Sequence, residues 1–236
     1  MEVQYLGHSA FLLTTAGGER LLLDPFITPN ERAKDKIRLD DIRPDYILIS
    51  HAHFDHIADA EEIAKKSGAP IIGVWEIHAY FEKRGCATYP MNVGGTWKSS
   101  KTDLRVKLVP AIHSSSFPDG SYGGLAVGFV ISDGNRNVYY AGDTALSLEM
   151  ELIAERYDLQ VALLPIGGTF TMDVEDAVEA ALLLDVEHVI GMHYNTFPVI
   201  AINQSDAIKA FKDNDITLHL LDIGGILDLA SLPTSS

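Results

Sequence analysis

The stretch His51-Ala52-His53-Phe54-Asp55-His56 constrains this chain more than any other. It follows Tyr46-Ile47-Leu48-Ile49, a continuous apolar run of the kind that forms a strand buried on both faces. Three imidazoles and a carboxylate thus fall within six residues at the C-terminal end of a strand. Such nitrogen and oxygen donors suit zinc, and manganese or iron as well. Residues i and i+2 of a helix point to different faces, so the spacing requires a strand-to-helix loop. The chain has only nine histidines in 236 residues, so three in six is not a chance distribution. A metal site is the expectation.

The rest of the chain reads as strands first, then strands and helices in alternation. Strand patterns cover 2–6, 9–15 and 20–24, with a hairpin signal at Ala16-Gly17-Gly18-Glu19. Residues 28–43 read as a charged, irregular loop. Helices are predicted over 57–67, 76–84, 147–155, 173–184 and 203–213. Further strands are predicted at 70–74, 104–110, 125–132, 137–141, 159–164, 187–191, 217–219 and 225–229. No repeat or linker interrupts residues 1–230, so one domain is expected, followed by a loose tail over 231–236. Two facing sheets with helices outside would bury these runs, but so would a doubly wound sheet; periodicity does not choose between them.

The downstream motifs do choose. A lone histidine, His113, follows a strand in Ala111-Ile112-His113-Ser114. Asp143 follows another in Tyr139-Tyr140-Ala141-Gly142-Asp143-Thr144, and His193 a third in Val189-Ile190-Gly191-Met192-His193. His-x-His-x-Asp-His after a buried strand, with these three residues in this order, resembles the metallo-β-lactamase-fold hydrolases along nearly the whole chain. The chain is also similar to the ascorbate-phosphate lactonase (UlaG-like) branch in Leu6-Gly7-His8-Ser9, Leu23-Asp24-Pro25 and Pro165-Ile166-Gly167-Gly168-Thr169-Phe170-Thr171-Met172-Asp173. The resemblance implies an α/β fold, the four-layer αββα sandwich. It implies two divalent metal ions, zinc first, with manganese or iron compatible. His51, His53 and His113 would hold one ion, Asp55, His56 and His193 the other, and Asp143 would bridge them. Open coordination marks a catalytic rather than a structural site. The implied chemistry is hydrolysis of a small polar or anionic ester, lactone or phosphodiester by a hydroxide activated between two metals, with Asp55 and Asp143 as catalytic residues. Asp55 would also take the released proton.

Other residues invite a role. Asp24 ends a strand before a proline and is expected to support a metal-ligating histidine from behind; turn formation is its plain alternative. His8 either faces the pocket or bonds backbone. Asp173 is a substrate candidate, although Asp is also a strong N-cap for the helix it precedes. The Ser- and Gly-rich stretch 114–124 reads as a mobile loop beside the metals, with Phe117 and Tyr122 as possible substrate contacts. His78, His188 and His219 read as ordinary surface or partly buried residues, and Cys86 as inert.

Bulk charge narrows the partners. A formal net charge of -15 leaves no basic footprint for nucleic acid and disfavours anionic membranes. Two divalent ions would nevertheless leave the metal centre itself positive, which favours a small anionic substrate. One cysteine precludes an intramolecular disulfide, and the N-terminus lacks a signal-peptide pattern, so a cytoplasmic location is expected. Three rivals stand beside the hydrolase reading. A nucleic-acid-processing nuclease on the same fold would need an inserted domain or basic arm, for which the interval from Asp143 to His193 has no room. A di-iron oxidoreductase would carry glutamate in place of His53 and a fused flavin domain. A non-catalytic metal-binding protein is a third, although every ligand position is filled. A homo-oligomer is implied by the resemblance.

Overall fold

A computed structural model of the chain describes residues 1–232. Glu2–Gly7 (β1), Ala10–Thr14 (β2) and Arg20–Leu23 (β3) form an antiparallel meander. Tyr46–Leu48 (β4) pairs in parallel with β3. Two short helices, Phe54–Ile57 (α1) and Ala60–Ser67 (α2), lead back to Ile71–Val74 (β5), which is parallel to β4. Trp75–Glu82 (α3) and Thr88–Met91 (β6) follow. The second half repeats the plan. Thr96–Lys98 (β7), Arg105–Pro110 (β8), Val127–Ser132 (β9) and Asn137–Tyr140 (β10) are antiparallel neighbours. Glu149–Ala154 (α4), Leu159–Pro165 (β11), Val174–Leu183 (α5), His188–Met192 (β12), Gln204–Lys212 (α6) and Thr217–His219 (β13) then alternate, their strands parallel. Ile226–Asp228 (β14) returns to pair with β1.

Two seven-stranded mixed sheets result, ordered β14-β1-β2-β3-β4-β5-β6 and β13-β12-β11-β10-β9-β8-β7. Strands β4 and β5, wholly apolar, and β11, apolar but for Gln160, lie inside their sheets and are buried on both faces as their sequences require. One hydrophobic core contains Phe11, Leu22 and Ile47 from the first sheet with Phe129, Val161 and Ile190 from the second. Aromatic pairs cross between the sheets: Tyr46 and Trp97 have ring centroids 4.5 Å apart, Phe11 and Tyr140 6.3 Å. Helix α3 packs on β5 and β6, α5 on β11 and α6 on β13, so helices flank the paired sheets. The architecture is the αββα sandwich.

Four local features differ from the sequence expectation. Strands β6 and β7 occupy a stretch with no strand pattern. Both are edge strands, where short length, exposure and Pro90 are tolerated because one row of backbone groups faces solvent. The predicted helix over 57–67 starts earlier and breaks. His53, in extended conformation, precedes α1, so Asp55 and His56 lie on a helical turn while His51 and His53 lie in the extended segment before it. The break falls at Asp59, whose buried carboxylate leaves the helix to accept from the backbone N–H groups of Ile27 (2.6 Å) and Thr28 (3.0 Å). At the C-terminus, Ser231 closes a short 3-10 turn and Leu232 packs partly on the core. The rest of the expected tail, 233–236, lies outside the described residues.

Candidate metal centre

The residues singled out in sequence sit just past the ends of strands that open onto one edge of the sandwich: His8 after β1, Asp24 after β3, His51 after β4, His113 after β8, Asp143 after β10 and His193 after β12. The backbone there is strained. His8 (φ +57°), Asp24 (+41°) and His193 (+54°) all adopt the left-handed region, at a cost on the order of 1–2 kcal/mol per residue. Strain of this kind persists only where surrounding packing holds it, and it clusters at functional sites. Here a backbone bond from His193 N–H to His8 C=O (3.0 Å) ties the ends of β12 and β1 together. Gly142 is required by its place: at φ +63° a Cβ would lie 2.8 Å from the Val127 carbonyl oxygen and 3.0 Å from Ser50 Cβ.

Seven of these side chains converge. The Nε2 atoms of four histidines surround one carboxylate oxygen: Asp143 Oδ2 lies 3.1 Å from His193, 3.3 Å from His56, 3.6 Å from His113 and 4.0 Å from His51. His51 Nε2 and His53 Nδ1 face each other at 3.0 Å. Donor atoms of His51, His53 and His113 form one close group, and those of His8, Asp55, His56 and His193 another. Bonds of about 2.0–2.2 Å in a tetrahedron place neighbouring donors roughly 3.3–3.6 Å apart, within the 3.0–4.0 Å range of the separations here. His56 Nε2 and Asp143 Oδ1 are buried with no hydrogen-bond partner. Buried polar atoms aimed into a common space without partners are costly unless something else satisfies them. The donor set therefore fits cations, and its two groups flank Asp143.

The residues behind the cluster aim it. Asp24, fully buried, accepts from the Ser50 backbone N–H (2.8 Å), the Ser50 hydroxyl, the Tyr140 hydroxyl (2.7 Å) and His56 Nδ1 (2.8 Å). Donation from Nδ1 turns His56 Nε2 toward Asp143. Ser50, its own proton given to Asp24, accepts from His51 Nδ1 at 3.0 Å and turns that ring the same way. Because Asp24 already serves these donors, it stands behind the histidines rather than among them. His8 Nε2 lies 3.0 Å from Asp55 Oδ2, and its Nδ1 lies 2.9 Å from the Thr196 hydroxyl. A carboxylate partner fixes the proton on Nε2, so Thr196 donates to Nδ1.

Charges inside the cluster are interdependent. Burial and its histidine neighbours push His51 down; burial, then His193, lowers His8 to about 4. Burial also opposes charge on His193, but Asp143 and Asp55 outweigh it and hold the ring at about 9. His56 is raised by the same two carboxylates against its burial. Asp143 is buried and Asp55 partly so, yet the histidines hold both well below the usual carboxylate range. Two ionised carboxylates amid imidazoles are ready to accept cations in place of protons.

Three expected substrate contacts are placed elsewhere or otherwise engaged. Phe117 is buried and stacks on Tyr80, ring centroids 3.8 Å apart, so it anchors its loop to α3. Tyr122 is exposed and pairs with Ser116 across the same loop, which Gly123 and Ser115 press against Ala52. Asp173 caps α5 by accepting from Asp176 N–H at 3.0 Å. The sequence reading missed Ser50 and Tyr140, although Tyr140 lies inside a quoted motif and Ser50 between two of them. It also missed Thr196 and the Phe26–Phe197 pair that packs on His8, for which no local signal exists.

Comparison with known proteins agrees with this geometry. Residues 2–193 match the family model described as a Beta-lactamase superfamily domain. A UPF0173 metal-dependent hydrolase of Christiangramia forsetii is 46% identical over 97% of this chain and 100% of its own, and one from Thermus thermophilus is 44% identical over 97% and 99%. The solved structure of Igni18, a metallo hydrolase from the archaeon Ignicoccus hospitalis, superposes with a TM-score of 0.86 at 36% identity, covering 96% of this chain and 97% of that one. With its strand-end histidines and aspartates gathered at one edge of an αββα sandwich, the chain belongs to the β-lactamase superfamily and, within it, to the UPF0173 metal-dependent hydrolases.

Proposed function

We propose that the chain hydrolyses a small polar or anionic ester, lactone or phosphodiester at a centre of two divalent ions, zinc first among them. The observation that carries this reading is the position of Asp143 Oδ2 within 4.0 Å of four histidine Nε2 atoms drawn from both donor groups. One carboxylate reaching two groups is what a shared centre needs. His51, His53 and His113 would hold one ion and Asp55, His56 and His193 the other, with Asp143 common to both. When bound, such a pair supplies Lewis acidity and water acidified enough to act as a nucleophile at neutral pH.

The chain's own residues do the rest. Asp24 and Ser50 lock the rings of His56 and His51, so the donors are oriented before any ion arrives. Asp143 has 3% of its side chain exposed and Asp55 25%. The more open Asp55 is therefore the carboxylate that substrate and water reach, and the one that takes up the proton released on attack. His8 holds its Oδ2 in place. Phe54 and Phe197, exposed and both packed on Phe26, give the entrance an apolar side.

Metal analysis with a panel of phosphodiester, lactone and ester substrates tests this reading. Two equivalents of metal per chain and chelator-sensitive turnover are expected. Asp143→Asn should lose metal and activity together, and full activity with intact metal content in that variant refutes the shared role.

A further inference from the structure

A polar pocket of about 110 Å³ lies on the Nδ1 side of His8, away from Asp55. Its floor includes the buried side chains of Tyr5, Asn30 and Tyr194, and its rim the exposed Arg32 and Lys36. Asn30 is 1% exposed. Its Oδ1 accepts from the Arg32 backbone N–H (3.0 Å), while its Nδ2 has no partner. A buried amide donor without an acceptor is rare in folded chains and points to something that supplies one.

The rim reinforces the floor. Half of the chain's lysines pair with acids, as in Lys34–Glu31, Lys65–Glu61, Lys66–Asp40 and Lys209–Asp213. Arg32 and Lys36 share one rim and neither has a carboxylate within bridging distance among the described residues; Arg32 turns Nη1 to the Asn195 carbonyl oxygen at 2.7 Å. Asp222 is the one acid in the lining. It offsets one cation, leaving a local positive excess in a chain of net charge -15.

We propose that this pocket binds a small oxyanion, a carboxylate or phosphate group, with Asn30 Nδ2 donating from the floor and Arg32 and Lys36 from the rim. The site is separate from the metal centre and does not depend on how that centre is assigned. The two are nevertheless one side chain apart, because the Thr196 hydroxyl in the pocket wall holds His8, and His8 holds Asp55.

Calorimetric titration of the metal-replete full-length protein with inorganic phosphate, and separately with acetate, tests this site. Saturable binding of one anion per chain, beyond any taken up at the metal centre, is expected for at least one probe, and the tighter probe identifies the preferred oxyanion. The exposed double substitution Arg32→Gln/Lys36→Gln should weaken binding about tenfold, the loss of two solvent-screened attractions. Asn30→Asp keeps the Oδ1 acceptor, replaces the donor with a negative charge and should abolish binding. Binding at wild-type strength in the double variant places the anion elsewhere and overturns the proposal. So does the absence of saturable binding of either probe at millimolar concentration.

Discussion

Replacing Asp24 with asparagine isolates what the carboxylate behind His56 contributes, because the shape hardly changes. Oδ2 receives His56 Nδ1, the Tyr140 hydroxyl and the Ser50 hydroxyl, and Oδ1 receives the Ser50 backbone N–H. Asparagine has one oxygen to offer. If that oxygen keeps the three donors, the new NH2 group faces the Ser50 N–H, donor against donor, at 0% exposure. If the amide flips, His56 loses its acceptor and is driven to the tautomer that carries its proton on Nε2, the atom aimed at Asp143. The first arrangement is the less costly one, since a single backbone donor is stranded. That costs about 1–3 kcal/mol, to which the loss of charge assistance adds. Metal-free Asp24→Asn should therefore be less stable than wild type by roughly 2–3 kcal/mol in urea denaturation. Its metal affinity, measured by competition with a chromophoric chelator, should fall about 10–100-fold, because a neutral amide orients and polarises the imidazole less well. Tyr140→Phe is the control. It removes one donor and leaves His56 held, so about 1 kcal/mol of stability should go while metal affinity changes little. If Asp24→Asn binds metal as tightly as wild type, Asp24 does not set the direction of His56.

Two further outcomes follow from the same geometry. Chelation should lower the melting temperature by several degrees and restoring zinc should recover it, because ions that bind only the folded cluster stabilise it; an unchanged melting curve would mean that the cluster holds no ion. Phe117→Ala should cost about 3 kcal/mol, the low end for a buried phenylalanine, since a loop can partly collapse into the space. At about 2–4 °C per kcal/mol for a chain of this size, calorimetry resolves that readily, whereas a substrate-contact role would change KM at unaltered stability.

Local sequence determined much of this protein. The apolar run Tyr46–Ile49 could only be an inner strand, and the histidines after it could only emerge at that strand's end. The same logic put His113, Asp143 and His193 at strand ends, and the family resemblance grouped them. Alternation and apolar runs report which face or layer a residue occupies, and that information is local. The edges were harder: β6 and β7 bury one face at most, and Pro90 is acceptable there only because the ladder stops.

What only the tertiary structure decided is who meets whom. His8 reaches Asp55 across 47 residues and Thr196 across 188. Tyr140, on the second sheet, reaches Asp24 on the first across 116. Phe117 looked like a site residue in its Gly- and Ser-rich loop, and instead Tyr80 claims its ring. No local pattern encodes such meetings, because they depend on the register and facing of two sheets closed by β14 returning to β1.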